Sequence, residues 1–320
     1  MRRSPRWIAT SYCRRVPADI QLSIGLPNFG TWLGPHGWHR FVDLARMADD
    51  AGIDRLVLVD HVVMGPHTDA YRWGRFPTPP DGDWLEPMTM LAAVAAATTR
   101  VRLATGIMIP ALRGAALLAK TAASVDVISQ GRLELGVGIG WQREEYDAVG
   151  LDWSQRGQLL DDTLGACTAL WGDAPTTFDS PTVSFADVWC RPQPLQTGGV
   201  PLWIAGSLSP RNLRRLARWG RGWIPIMGAN ADEISEGATA IRTAMVEAER
   251  DPSELCVQQP LAIVRDDAGA ADLAATLDGI SSVTTRGPWA AHLPIQAFCR
   301  GLDDAAAFFA EAAERFAALA

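Results

Sequence analysis

The sequence predicts the α/β class and, within it, a closed (β/α)8 TIM barrel, on three observations. Eight short apolar runs alternate strictly with eight longer segments of helical period, the pattern of repeated βα units around a parallel sheet. A chain of 320 residues suits one such barrel with its loops. The residues ending the apolar runs are polar or glycine-rich, at the rim where barrels of this class gather their reactive groups. An open, doubly wound sheet is the alternative to closure.

In chain order, the runs that read as strands are 22–27, 55–60, 101–108, 133–138, 202–205, 223–226, 255–264 and 293–298. Helical period follows at 38–51, 86–98, 114–128, 157–171, 210–219, 231–250, 270–277 and 303–319. Gly52, Gly131, Gly172 and Gly220 stand where a left-handed residue would stop the first, third, fourth and fifth helices. Residues 21–320 therefore read as a single domain. Two segments break the rhythm. Residues 62–85, after strand two, form a long loop rich in Pro, Gly and aromatics on the expected catalytic rim. Residues 174–200, before strand five, are proline-rich and long enough to hold a hairpin. They suit either a reach toward that rim or a subunit contact.

Composition narrows the function. With 48% apolar and 20% charged residues the chain has the make-up of a globular enzyme. Its formal charge of −7 leaves no basic field to neutralise a phosphate backbone, so nucleic-acid binding is not expected. No apolar run reaches the length of a membrane-spanning helix. Cys13, Cys167, Cys190, Cys256 and Cys299 are odd in number and lack C-x-x-C spacing, which fits a reducing cytoplasm. Residues 1–20 carry Arg2, Arg3, Arg6, Arg14 and Arg15 against Asp19, with no signal-type apolar run behind them, and read as a tail. His36, His39, His61 and His67 crowd the first quarter, but the HExxH pattern is absent and no metal is expected. A serine nucleophile lacks its G-x-S-x-G elbow.

Chemistry is then sought where strands end. Asp60 and His61 follow the second strand directly and point to opposite sides of it. From spacing alone the pair fits a solvated loop or helix cap, or else a histidine that binds cofactor and handles a proton. Gly136, Gly138 and Gly140 form GxGxG without the spacing of a dinucleotide fingerprint. They would relieve crowding inside the barrel or let a flat ring or phosphate approach the backbone. After strand five, Gly206 and Ser207 precede Ser209, a cap for a helix whose first residue is Pro210. That corner is either ordinary capping or an anion site.

Taken together, IGLPNF (24–29), Asp60-His61, ATGI (104–107) and above all GRLELGVGIGWQREEY (131–146), with Gly150 and Arg156 beyond, resemble the bacterial luciferase-like flavin and deazaflavin oxidoreductases. Similarity is greatest to the branch that uses coenzyme F420. The resemblance implies a barrel, usually a homodimer, with the cofactor ring in its mouth. Asp60 and His61 would meet the ring's polar edge, with His61 the catalytic residue beside the substrate. Thr105, Gly106 and Ile107 would form a bulge behind the ring, often with a cis peptide. Gly138, Ile139 and Gly140, with Ala205, Gly206 and Ser207, would line the cofactor's chain and phosphate. The luciferase branch has an arginine where Ile139 stands, which argues against its FMN site. The F420-dependent sugar-phosphate dehydrogenases have a glutamate where Trp141 stands, which argues against their reaction.

The expectation is therefore hydride transfer between F420 and a small organic substrate. The alternative is an FMNH2-dependent monooxygenase served by a separate flavin reductase, and a third reading is a barrel that only binds a cofactor or ligand. Tyr71, Trp73, Phe76 and Trp84 in the first long loop suggest a hydrophobic substrate.

Overall fold

The computed structural model describes residues 20–34, 36–282 and 287–319. The tail read at 1–20 lies outside this range except for Ile20, which opens the first strand. Strands β1 (Ile20–Gly25), β2 (Arg55–Leu58), β3 (Arg102–Thr105) and β4 (Leu133–Val137) are followed by a hairpin, β5 (Thr176–Asp179) and β6 (Ser184–Val188). The barrel then resumes with β7 (Leu202–Ala205), β8 (Gly220–Ile224), β9 (Cys256–Pro260) and β10 (Trp289–Pro294). The eight barrel strands are all parallel and close in the order β1-β10-β9-β8-β7-β4-β3-β2. Closure, rather than an open sheet, is thus the outcome.

Outside the strands run α1 (Phe41–Ala51), α2 (Pro87–Ala97), α3 (Ala115–Ile128), α4 (Arg143–Ala148), α5 (Arg156–Leu170), α6 (Pro210–Trp219), α7 (Ala231–Glu247), α8 (Leu273–Asp278) and α9 (Leu302–Leu319). Their sequence explains their seating. In α1, Phe41, Leu44, Ala45 and Ala48 recur at helical spacing and are all fully buried against the strands. Gly52 ends this helix at φ 95°, the left-handed conformation its lack of Cβ allows. Arg132, next to Gly131, ties α2 to α3 by donating to the carbonyls of Ala95, Thr98, Val101 and Ser129. Among the described residues no helix is long and apolar enough to cross a membrane.

Strands β3 and β9 stop at Thr105 and Pro260, short of the expected 108 and 264, and two further strands are displaced along the chain. The last barrel strand is Trp289–Pro294 rather than 293–298. His292 interrupts its apolar run because it faces a buried polar layer, and Ile295–Ala297 is a 3-10 turn after Pro294, which has no N–H to continue the ladder. Gly220 caps α6 as expected, donating to the Leu216 carbonyl, but in extended rather than left-handed conformation, and it also begins β8 by pairing with Leu202. Gly222 then lies flat beneath the Trp203 indole, where a Cβ would approach Cδ2 to 2.2 Å. A strand that opens Gly-Arg-Gly, with Gly220 against Leu216 and Gly222 against Trp203, carries little apolar signal.

The barrel interior is not wholly apolar. Arg55 donates to Glu134 at 2.8 Å and to Gln258 at 2.9 Å and lies 4.1 Å over the Trp203 ring. Arg102 reaches the same Glu134 carboxylate. Burial and then the Arg55 charge push the neighbouring His292 imidazole down to about 3, so it stays neutral, hydrogen-bonded to Ser23.

Candidate active site

The carboxyl ends of the strands bring most of the residues singled out above to one mouth. His61, Gly106, Ile107, Ile139, Gly140, Ala205, Gly206 and Ser207 all keep exposed surface there, while Asp60, Thr105 and Gly138 lie buried behind them. The surface these residues leave at the rim is made of backbone and apolar side chain, with the His61 ring and the Ser207 hydroxyl.

Asp60 is fixed from behind. Arg113, beyond β3, donates Nη1 to Oδ2 and Nη2 to Oδ1 at 2.8 Å each, and the Ile109 amide donates to Oδ2 at 3.0 Å. Arg113 also bonds Glu86, the N-cap of α2. Burial opposes its charge, but the bonds and charges of Asp60 and then Glu86 more than offset this, and the guanidinium pKa is raised. The Asp60 carboxylate therefore braces the β3 loop, with its oxygens engaged away from the mouth.

His61 faces the other way, its side chain only 10% exposed. Its Nδ1 lies 3.2 Å from Oε1 of Glu145 on α4. The ring stands edge-on to Trp84 at 4.6 Å, to Phe76 at 5.5 Å and to Trp141 at 5.8 Å. Trp84 stacks in turn on Phe29 and Phe76, and Tyr71 meets Phe76, Trp73 and Trp141. The aromatics of the first long loop thus converge on the histidine. Asn28, at the end of β1, holds that loop's two ends together by donating to the carbonyls of Val59 and Leu85.

The floor is formed by Ile107 and Ala205, with Gly138 packed against them: a Cβ there would stand 2.9 Å from Ile107 and 3.8 Å from Ala205. The Gly106–Ile107 peptide is cis. Thr105 donates its hydroxyl to the Gly136 carbonyl at 2.8 Å, within the barrel wall. Gly136 relieves crowding, since a Cβ would come within 2.0 Å of the Thr105 carbonyl oxygen. At the far corner, Ser209 accepts from the Asn212 amide, and the Asn212 side chain donates to the carbonyls of Ala205 and Ser207. Arg211 and Arg215, which flank this corner, both bind Asp161. Among the described residues no group of three His, Cys, Asp or Glu is placed to hold a metal.

Sequence reasoning missed Arg113, Glu86, Phe29 and Glu145.

The site thus sits on a parallel eight-stranded barrel, with a histidine ringed by aromatic side chains at the carboxyl ends of the strands, the architecture of a barrel oxidoreductase. The chain matches the luciferase-like monooxygenase family over residues 22–318, and it belongs to that family. A phthiodiolone/phenolphthiodiolone dimycocerosates ketoreductase of Mycobacterium tuberculosis is 29% identical over 173 residues, 53% of this chain and 45% of that protein. The chain spans less than two thirds of the length of the curated relatives it matches. Among solved structures, a monooxygenase from Streptomyces bottropensis superposes with TM-score 0.73 at 20% identity, covering 93% of this chain and 99% of that one. An F420-dependent secondary alcohol dehydrogenase in complex with an F420–acetone adduct gives TM-score 0.69 at 15% identity, covering 92% and 99%. At these identities the two superpositions establish the fold.

Proposed function

We propose that this chain is an F420-dependent oxidoreductase acting on a small, hydrophobic organic substrate. The observation that carries the reading is His61, held at the barrel mouth inside the cluster of Tyr71, Phe76, Trp84 and Trp141, over a floor of Ile107 and Ala205. A bound deazaflavin would supply hydride chemistry, having carbon in place of the flavin N5. Gly106 and Ile107 would support its ring, and Ile139, Gly140, Ala205, Gly206 and Ser207 would line its chain and phosphate. Asp60, Thr105 and Gly138 would act from behind by holding those loops. The chain's own residues do the rest. His61 gives or takes a proton at the substrate oxygen, and the aromatic wall excludes water and selects apolar groups.

The competing reading within the family is an FMN-dependent monooxygenase. Ile139 weighs against it: the residue is apolar, and Arg211 and Arg215, on α6 at the Ser209 corner, are engaged with Asp161. The test is anaerobic assay of reduced F420 with apolar ketones, and of oxidised F420 with the corresponding alcohols, followed by the cofactor's visible absorbance. The expected result is protein- and substrate-dependent turnover without oxygen. Oxygenated product formed only with FMNH2 and a flavin reductase would overturn the reading.

A further inference from the structure

A six-residue helix has little stability of its own, so α4 must be held by its contacts. Gln142, at its N-cap, accepts from the Gly65 amide at 2.6 Å. The Glu144 stem fills the space over Gly65, where a Cβ would lie 2.5 Å from its Cδ. Tyr146 is fully buried and donates its hydroxyl to the Ile139 carbonyl at 2.8 Å. The helix is thereby clamped between the loop after β4 and the loop after β2. Glu145 sits at the centre of that clamp, fully buried, with Oε1 accepting from the Val62 amide at 3.0 Å and facing His61 Nδ1 at 3.2 Å.

We propose that Glu145 is the positioning residue of this site: it holds His61 in the tautomer protonated at Nδ1 and so offers Nε2 as the proton acceptor. The inference rests on the reading of His61 as the proton-handling residue. Its chemistry is simple. A carboxylate oxygen has no hydrogen to donate, so a ring nitrogen facing it must bring its own. A neutral imidazole carries one N–H, which leaves the Nε2 lone pair on the far side of the ring. Trp84 and Phe76 meet the ring edge-on and keep it from rotating out of this geometry. The other carboxylate oxygen, Oε2, is buried without a partner, a cost that an apolar side chain of the same shape would avoid. An acid at this position is therefore explained by what it does to His61 and Val62, not by packing.

The test is nitrogen NMR of ring-labelled histidine in the protein without added cofactor, at mildly alkaline pH where an imidazole is neutral. His61→Asn identifies the His61 signals. The expected spectrum has Nδ1 protonated and Nε2 unprotonated. Glu145→Gln keeps an oxygen that accepts from both groups and should leave this tautomer in place. Glu145→Met removes the acceptor and should shift the tautomer ratio at least about fivefold toward Nε2–H. A wild-type His61 protonated at Nε2, or an unchanged ratio in Glu145→Met, overturns the proposal; should that variant not fold, the wild-type spectrum still decides. F420 titration of the same samples separates the two readings. Loss of F420 binding beside a correct tautomer removes the cofactor assignment and supports the role of Glu145.

Discussion

Arg113 grips Asp60 with two parallel hydrogen bonds of 2.8 Å, joining the exit of β2 to the loop beyond β3. Asp60, expected as a cofactor contact, has both carboxylate oxygens on this fork and Oδ2 also on the Ile109 amide. Asp60→Asn leaves a buried guanidinium with Glu86 alone and should cost about 3 kcal/mol in urea unfolding. A loss below about 1 kcal/mol would mean the pair behaves as a surface ion pair.

His61→Ala removes a ring bounded by aromatic edges and should lower turnover by about 10²- to 10⁴-fold, the usual worth of a general acid or base. F420 affinity should change far less, because floor and corner are untouched. Steady-state kinetics beside a binding titration checks this, and unchanged turnover would remove the proton role.

Gly136→Ala places a Cβ 2.0 Å from the Thr105 carbonyl oxygen, in a wall where neither strand can yield. Destabilisation of about 3 kcal/mol or more, or failure to accumulate as folded protein, is expected from such overpacking. Thermal unfolding of the variant reads it. The glycine run of β4 is thus accounted for at this position by packing inside the barrel.

His292 makes stability pH-dependent. Its folded pKa, about 3, lies below the ordinary imidazole value of about 6.5. Below that ordinary value the unfolded chain binds a proton that the folded chain refuses. The contribution is complete above about pH 6.5 and erodes as pH falls toward about 3, by up to about 1.4 kcal/mol per pH unit. Unfolding free energies of wild type and His292→Gln across this window should converge as the pH falls, and parallel curves would contradict the assignment.

The alternation of apolar runs and helical periods made the eight-fold architecture legible, because each strand of a parallel barrel is covered by its own helix. β8 and β10 were misjudged where the barrel needs glycine or a buried histidine rather than an apolar side chain. Of the site, the strand-end residues were visible because the fold alone dictates where they sit. Arg113, Glu86 and Glu145 were not, since each joins its partner across 27 to 84 residues of sequence and no local period records that. Phe29 escaped for a similar reason: its stacking on Trp84 at 4.5 Å depends on how the 62–85 loop folds back over β1.

The central claim is the cofactor, and it is tested most directly by titrating the purified protein with F420 and, separately, with FMN, following the fluorescence of each. The account predicts F420 binding in the low micromolar range or tighter, with FMN at least about tenfold weaker, a difference of about 1.4 kcal/mol. Tight binding of FMN with none of F420 would contradict it.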